Sequence, residues 1–209
     1  MRAALIWLAV KVPVLLCALA IMVVAGKLAH ATDACDQYRP TLVREAQAVY
    51  GLAAPVPMFA AQLRQESSCR ASITAWDNGR GLAQFMDDTS KQVAHMYPEI
   101  GAPDPYSPKW AIRALVRYDG WLHKRVQGDT ECERWGAALK SYNGGLGYVL
   151  KAQRLSTTSG AWFGATEDIN AGQSAQNFDY SRRYPRLILF QHQRLYTAWG
   201  ATVCLEGQR

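Results

Sequence analysis

From Pro108 onward, Ala111, Leu115, Tyr118 and Leu122 recur at i, i+4, i+7 and i+11. That spacing puts four apolar side chains on one face of an α-helix and on no face of a strand. Ser107 is placed to cap this helix, and Pro108 suits its first turn, where the missing amide would have no partner anyway. The same punctuation recurs along the chain. Pro40 predicts a helix running to about Tyr50, stopped by Gly51, and Pro57 predicts the next, which carries Phe59, Leu63 and Glu66. Asp88 or Thr89 can cap a helix reaching about Tyr97, before Pro98. Asp129 or Thr130 opens another, with Trp135, Leu139 and Tyr142 on one face and Gly144-Gly145 at its end. Residues 146–155 read as a short helix, and Pro185 as the start of a last one through Leu187, Ile188, Leu195 and Trp199. No stretch alternates convincingly between apolar and polar residues. The expected class is mainly α, in one domain.

The first 31 residues differ from the rest. Residues 12–26 carry no charge, Arg2 and Lys11 precede them, and Ala29-His30-Ala31 follows. A bilayer-spanning helix needs about 20 apolar residues and a signal-peptide core about 7–15. Residues 1–31 are therefore expected to be a signal peptide or an uncleaved signal anchor, with residues 32–209 exported to the periplasm or the periplasmic face of the inner membrane. Membrane contact is expected only through that segment, if it stays. Four cysteines fall in the exported part: Cys35, Cys69, Cys132 and Cys204. An even, widely spaced set in an oxidising compartment implies two disulfides, with three possible pairings.

The net charge is +6, and +3 once Arg2, Lys11 and Lys27 are set aside. The cations form no dense run, so nucleic-acid binding is not expected. His30, His95, His123 and His192 are scattered, no Cys-x-x-Cys pair occurs, and neither a metal nor a cofactor is implied. Gly144-Gly145-Leu146-Gly147 lacks the Lys-Ser/Thr of a phosphate loop. Ser67 and Ser68 lack the glycine-flanked elbow of a serine hydrolase.

Residues 59–89 carry the chemistry. Glu66 follows Phe59 and Leu63 on the apolar strip of its helix, a position where a carboxyl keeps its proton to higher pH, as a general acid must. The turn Trp76-Asp77-Asn78-Gly79-Arg80-Gly81 follows, and then Leu82-Ala83-Gln84-Phe85-Met86. Asp77, Asp87 and Asp88 are the nearest further acids, but the first suits a turn and the others a helix start. A single-acid enzyme needs a substrate that supplies its own nucleophile. Residues 156–177, polar and glycine-containing with Trp162 and Phe163 embedded, are expected to be a long loop and a candidate cleft wall.

Four ordered pieces point to one family. They are Gln65-Glu66-Ser67-Ser68, then Gly81-Leu82-Ala83-Gln84-Phe85-Met86 with Thr89. Asp104-Pro105 follows with Pro108 and the helix through Ile112, Ala114 and Tyr118, and last comes Ser141-Tyr142-Asn143-Gly144-Gly145. Together they span about residues 55–150, and the chain resembles the soluble lytic transglycosylase family with its lysozyme-like fold. Asp87 stands where that family usually has Pro, and Ala83 where it often has Met. The resemblance implies that Glu66 protonates the glycosidic oxygen between N-acetylmuramic acid and N-acetylglucosamine in peptidoglycan. It then serves as base on the muramoyl C6 hydroxyl, giving a 1,6-anhydro end. It further implies that Tyr142 and Asn143 line the cleft, that Ser67 and Gln84 contact sugar or orient the acid, and that Tyr184, in preference to Tyr180, supplies a late tyrosine. The expected partners are peptidoglycan glycan strands, with local wall opening for a secretion or conjugation complex or a phage as the setting. The alternatives are a hydrolytic muramidase, with water held by Asp77 or another acid, and a wall-binding assembly protein without activity.

Overall fold

A computed structural model describes residues 33–205, and the expected signal peptide or anchor lies outside them. Among the described residues there are seven α-helices. They are α1 (Arg39–Tyr50), α2 (Val56–Ser67), α3 (Asp87–Met96), α4 (Pro108–His123), α5 (Glu131–Gly144), α6 (Leu146–Leu155) and α7 (Ala175–Arg186). No strand is formed among them, only the bridges Thr74–Arg80 and Arg80–Phe85 that fold the turn after α2. The mainly α class therefore holds. None of these helices is long and apolar enough to cross a membrane.

Helix α2 is the axis. Every residue from Val56 to Leu63 is buried, Gln62 included. Phe59 lies between Tyr50 of α1 and Trp135 of α5, at 5.6 and 5.9 Å between ring centroids. The stripe of α4 points inward as its spacing predicts, with Ala111, Leu115 and Leu122 wholly buried. Its start is capped by Ser107, whose hydroxyl accepts from the Trp110 amide. Thr130 caps α5 in the same way, accepting from the Glu133 amide at 3.2 Å. Helix α2 ends on two left-handed residues, Ser68 (φ 52°) and Cys69 (φ 60°). Their amides return to the carbonyls of Arg64 and Leu63.

Two boundaries differ from the sequence expectation. Helix α3 begins at Asp87 with no side-chain cap, because Met86 occupies the capping position. Asp87 is instead ion-paired with Arg80 across the preceding turn. The larger correction concerns Pro185, which lies inside α7 instead of starting a helix. The capping residue is Ser174, whose hydroxyl accepts from the Asn177 amide at 3.3 Å. Proline removes one helical hydrogen bond, and the chain then widens into a π turn at Leu187–Gln191 and tightens into a 3-10 segment at His192–Trp199.

The cysteines pair as Cys35–Cys69 and Cys132–Cys204. The first ties the segment before α1 to the end of α2. The second ties the start of α5 to the C-terminal segment, which Gln193 also holds through two bonds to Val203 (2.7 and 2.9 Å). Residues 156–174 form a loop with one 3-10 turn, Thr166–Asp168. The loop is pinned to the domain: the Glu133 carboxylate accepts from the amides of Trp162 (2.6 Å) and Phe163 (2.8 Å). Trp162 is wholly buried beside Gly136, where any Cβ would lie 2.5 Å from its ring.

Candidate active site

The last turn of α2 presents Glu66 toward α5 and α7. Glu66 is half-buried, and its carboxylate accepts a hydrogen bond from the Tyr184 hydroxyl of α7. Burial pushes its pKa up to about 8; the Tyr184 bond pulls the other way and the Asp77 charge adds to the rise. At neutral pH the group therefore carries its proton, as a general acid requires. Tyr184 is itself buried, and its hydroxyl is held well above the usual phenol range, first by burial and then by Glu66. It can donate to the carboxylate but cannot take Glu66's proton.

Tyr142 stands beside this pair. Its ring is parallel to that of Tyr184 with centroids 6.5 Å apart, and its hydroxyl donates to the Ala83 carbonyl at 2.7 Å. Phe85, Tyr118 and Tyr142 pack mutually at 5.7–6.3 Å, which fixes the Tyr142 ring. A groove of about 480 Å³ is lined by Trp76 and Asp77 of the turn, by Asn143, Gly144 and Tyr148, and by Gln173, Ser174, Gln176, Asn177, Tyr180 and Ser181. Glu66 is not part of that lining, and the groove's connection to the acid is electrostatic. Asp77 raises the Glu66 pKa, and Glu66 raises that of Tyr180 after burial has done so. Residues 173–174 of the long loop thus supply part of a groove wall, as expected of that loop.

The family model of the transglycosylase SLT domain matches residues 42–162, more than half of the chain. The chain belongs to the transglycosylase SLT domain family. That membership makes peptidoglycan the substrate and lytic transglycosylase activity the general function. No curated protein shows significant similarity to the chain. In this SLT domain the matched span covers Glu66, the Gly81–Met86 re-entry and the Tyr142-Asn143 pair, but ends before Tyr184. The acid's hydroxyl partner thus comes from the stretch outside the match.

Of the expected site residues, the structure brings together Glu66, Tyr142 and Tyr184, with Asn143 in the groove lining. Ser67 is placed differently. It is 2% exposed, its hydroxyl donates to the Leu82 carbonyl at 2.7 Å and accepts from the Arg70 amide at 3.2 Å. The sugar contact expected of Ser67 is corrected to a structural tie between α2 and the Gly81–Met86 segment, because no part of its hydroxyl remains open. Gln84 has a left-handed backbone (φ 49°) and its side chain folds back, donating to the Gly81 carbonyl at 2.7 Å. In this arrangement it braces its own turn rather than touching Glu66. Among the described residues no three His, Cys, Asp or Glu side chains converge as a metal cage.

One residue escaped the sequence reading. Asp119 of α4 is wholly buried, accepts from the Gln62 amide at 3.4 Å, and has its pKa raised well above the carboxylate range. Burial is the main cause, opposed by Gln62 and reinforced by Glu66. The signal was available: Asp119 follows Leu115 by four positions and so lies on the buried stripe. Gln62 precedes Glu66 by the same interval. Asp119 is thus a buried carboxyl that resists ionisation, and a charge on it would oppose the ionisation of Glu66.

Tyr184→Phe gives a signed test of this geometry. Loss of the hydroxyl removes a bond to the ionised carboxylate, so the Glu66 pKa should rise and the alkaline limb of the kcat/KM profile should move above about pH 8. Turnover should fall by roughly tenfold, since the same bond stabilises the carboxylate left after proton donation. A pH–rate profile of the two proteins checks both, and an unshifted alkaline limb would remove Tyr184 from the acid's environment.

Proposed function

We propose that this protein cleaves the β-1,4 bond between N-acetylmuramic acid and N-acetylglucosamine and leaves 1,6-anhydromuramic ends. The carrying observation is a carboxyl, Glu66, that burial keeps protonated at neutral pH beside a groove and a hydroxyl donor. The Glu66 proton passes to the glycosidic oxygen as the C1–O bond breaks. The resulting carboxylate, steadied by Tyr184, then takes the proton of the muramoyl C6 hydroxyl as O6 bonds to C1. No water enters, so no second carboxylate is needed to position one, in contrast to the two-carboxylate glycosidases.

Asp77 supports a second reading. It lines the groove, and its charge is felt at Glu66. A water held there would give hydrolysis and ordinary reducing ends. Asp77 already accepts from the Gly79 amide at 3.2 Å within its own turn, which favours the turn-forming role. Mass spectrometry of the digested muropeptides separates the two: anhydro ends are expected, lighter by one water than hydrolysed ends. A digest of reducing ends alone would reject the transglycosylase product and favour the muramidase.

The working place in this proposal is the periplasm or the outer face of the inner membrane. The pairings Cys35–Cys69 and Cys132–Cys204 support it, since disulfides persist in oxidising compartments. Within it we place local wall opening for an envelope-spanning secretion or conjugation complex, or for a phage. Gene neighbourhood distinguishes those settings.

A further inference from the structure

Lys140 of α5 is 3% exposed. Its Nζ donates to Gln173 Oε1 at 2.8 Å and to Ser181 Oγ, and lies 5.1 Å from the centre of the Phe178 ring. Both acceptors are neutral and already committed. Gln173 Nε2 donates to the Gly144 carbonyl at 3.0 Å, and Ser181 Oγ donates to the Asn177 carbonyl at 2.6 Å. Among the described residues no carboxylate pairs with Lys140. A buried ammonium without a counter-ion is costly, and an apolar side chain would join α5 to α7 at lower cost.

Gln173, Ser181 and Gly144, the residues around Nζ, line the groove, as does Asn177, whose carbonyl Ser181 bonds. The ammonium thus lies one layer beneath the groove floor. Burial, followed by the Arg182 charge, lowers its pKa to about 8, so it remains mostly charged at neutral pH. The N-terminal turn of α7, with Ser174, Gln176 and Asn177 in the same lining, adds partial positive charge. Arg182 is committed to Asp168 at 2.6 Å and Asp179 at 3.7 Å. The acidic member of the lining, Asp77, belongs to the turn that carries Trp76 and not to the α5–α7 floor.

We propose that the groove floor above Lys140 is a carboxylate subsite, which takes the acidic substituent borne by the muramyl sugar. The inference rests on the glycan-cleaving reading above and names what the enzyme recognises on its strand. Two carboxylates share this chemistry: the lactyl group on strands stripped of peptide, and the side and terminal carboxylates of an attached stem peptide. Either supplies the counter-charge that Lys140 lacks.

The test uses purified glycan strands, peptide-bearing or stripped by an amidase, each either native or with its carboxyls converted to primary amides. For the wild-type enzyme, amidation should raise KM by about tenfold with little change in kcat, the scale of one charge at intermediate dielectric. In Lys140→Met the amidated-to-native KM ratio should fall to about one, and Lys140→Arg should retain the preference. Whichever native strand shows the larger ratio identifies the carboxylate. Equal KM for native and amidated strands in the wild type would overturn the subsite, and this arm stands even if Lys140→Met fails to fold. An unchanged ratio in a folded Lys140→Met would equally overturn it. Failure of the wild type to cleave any of the strands would reject the glycan-cleaving reading itself.

Discussion

Glu66→Gln is expected to lower turnover on purified peptidoglycan strands by about 10³-fold while leaving the fold intact. Glutamine keeps the volume and can accept from Tyr184, but it has no proton to give the leaving oxygen. A zymogram of the two proteins makes the comparison directly; equal clearing zones would exclude Glu66 as the acid, and no clearing by either would favour a wall-binding assembly role. Stability should move the other way, with a sign that follows from the raised pKa. A carboxyl whose folded pKa lies above its unfolded value of about 4.5 contributes stability below that value, and the contribution is lost as pH rises through about 8. Glutamine does not titrate. The wild-type Tm should therefore fall relative to the variant between about pH 5 and about pH 9.

The second large effect is predicted at Gly81, with stability as the readout. Its φ is +70°, and a Cβ there would lie 1.8 Å from the Pro105 carbonyl oxygen and 2.6 Å from its carbon. An alanine incurs about 1–2 kcal/mol for the left-handed backbone alone. It must also displace backbone, not a flexible side-chain end, so the total should reach about 4 kcal/mol or more. Denaturant unfolding of Gly81→Ala reads this as a large fall in midpoint. Gly147, inside α6 with open space around its Cβ position, is the control; its alanine variant should be neutral or gain up to about 1 kcal/mol. A Gly81→Ala midpoint close to that of wild type would show that the Asp104-Pro105 loop gives way freely. Activity should fall with stability, because residues 81–85 hold both ties to the site: Leu82 to Ser67 and Ala83 to Tyr142.

The helices were legible because their information is local. The stripe from Ala111 to Leu122, the Ser107-Pro108 start and the Gly144-Gly145 stop each encode a boundary within one or two turns of chain. Pro185 misled for a local reason as well: proline suits a first turn, and only the capping by Ser174 eleven positions earlier shows it to be an interior residue. Site chemistry was legible where one side chain carries it, as at Glu66. It was obscured where tertiary packing decides what a side chain meets. Ser67 reads as an open hydroxyl beside the acid until the Leu82 carbonyl is brought to it. Asp119 and Lys140 read as ordinary helix residues until α2, α5 and α7 close over them. The disulfide pairing, one of three arithmetically equal choices, is likewise a property of the assembled chain.

The Glu66–Tyr184 bond joins residues 118 positions apart. A nascent or partly folded chain possesses Glu66 but not its environment. In such a chain the carboxyl sits near its ordinary value of 4.5, is ionised at neutral pH, and has no proton to donate. The proton that the proposed reaction needs is thus a property of the folded domain, supplied by burial and opposed by the Tyr184 bond.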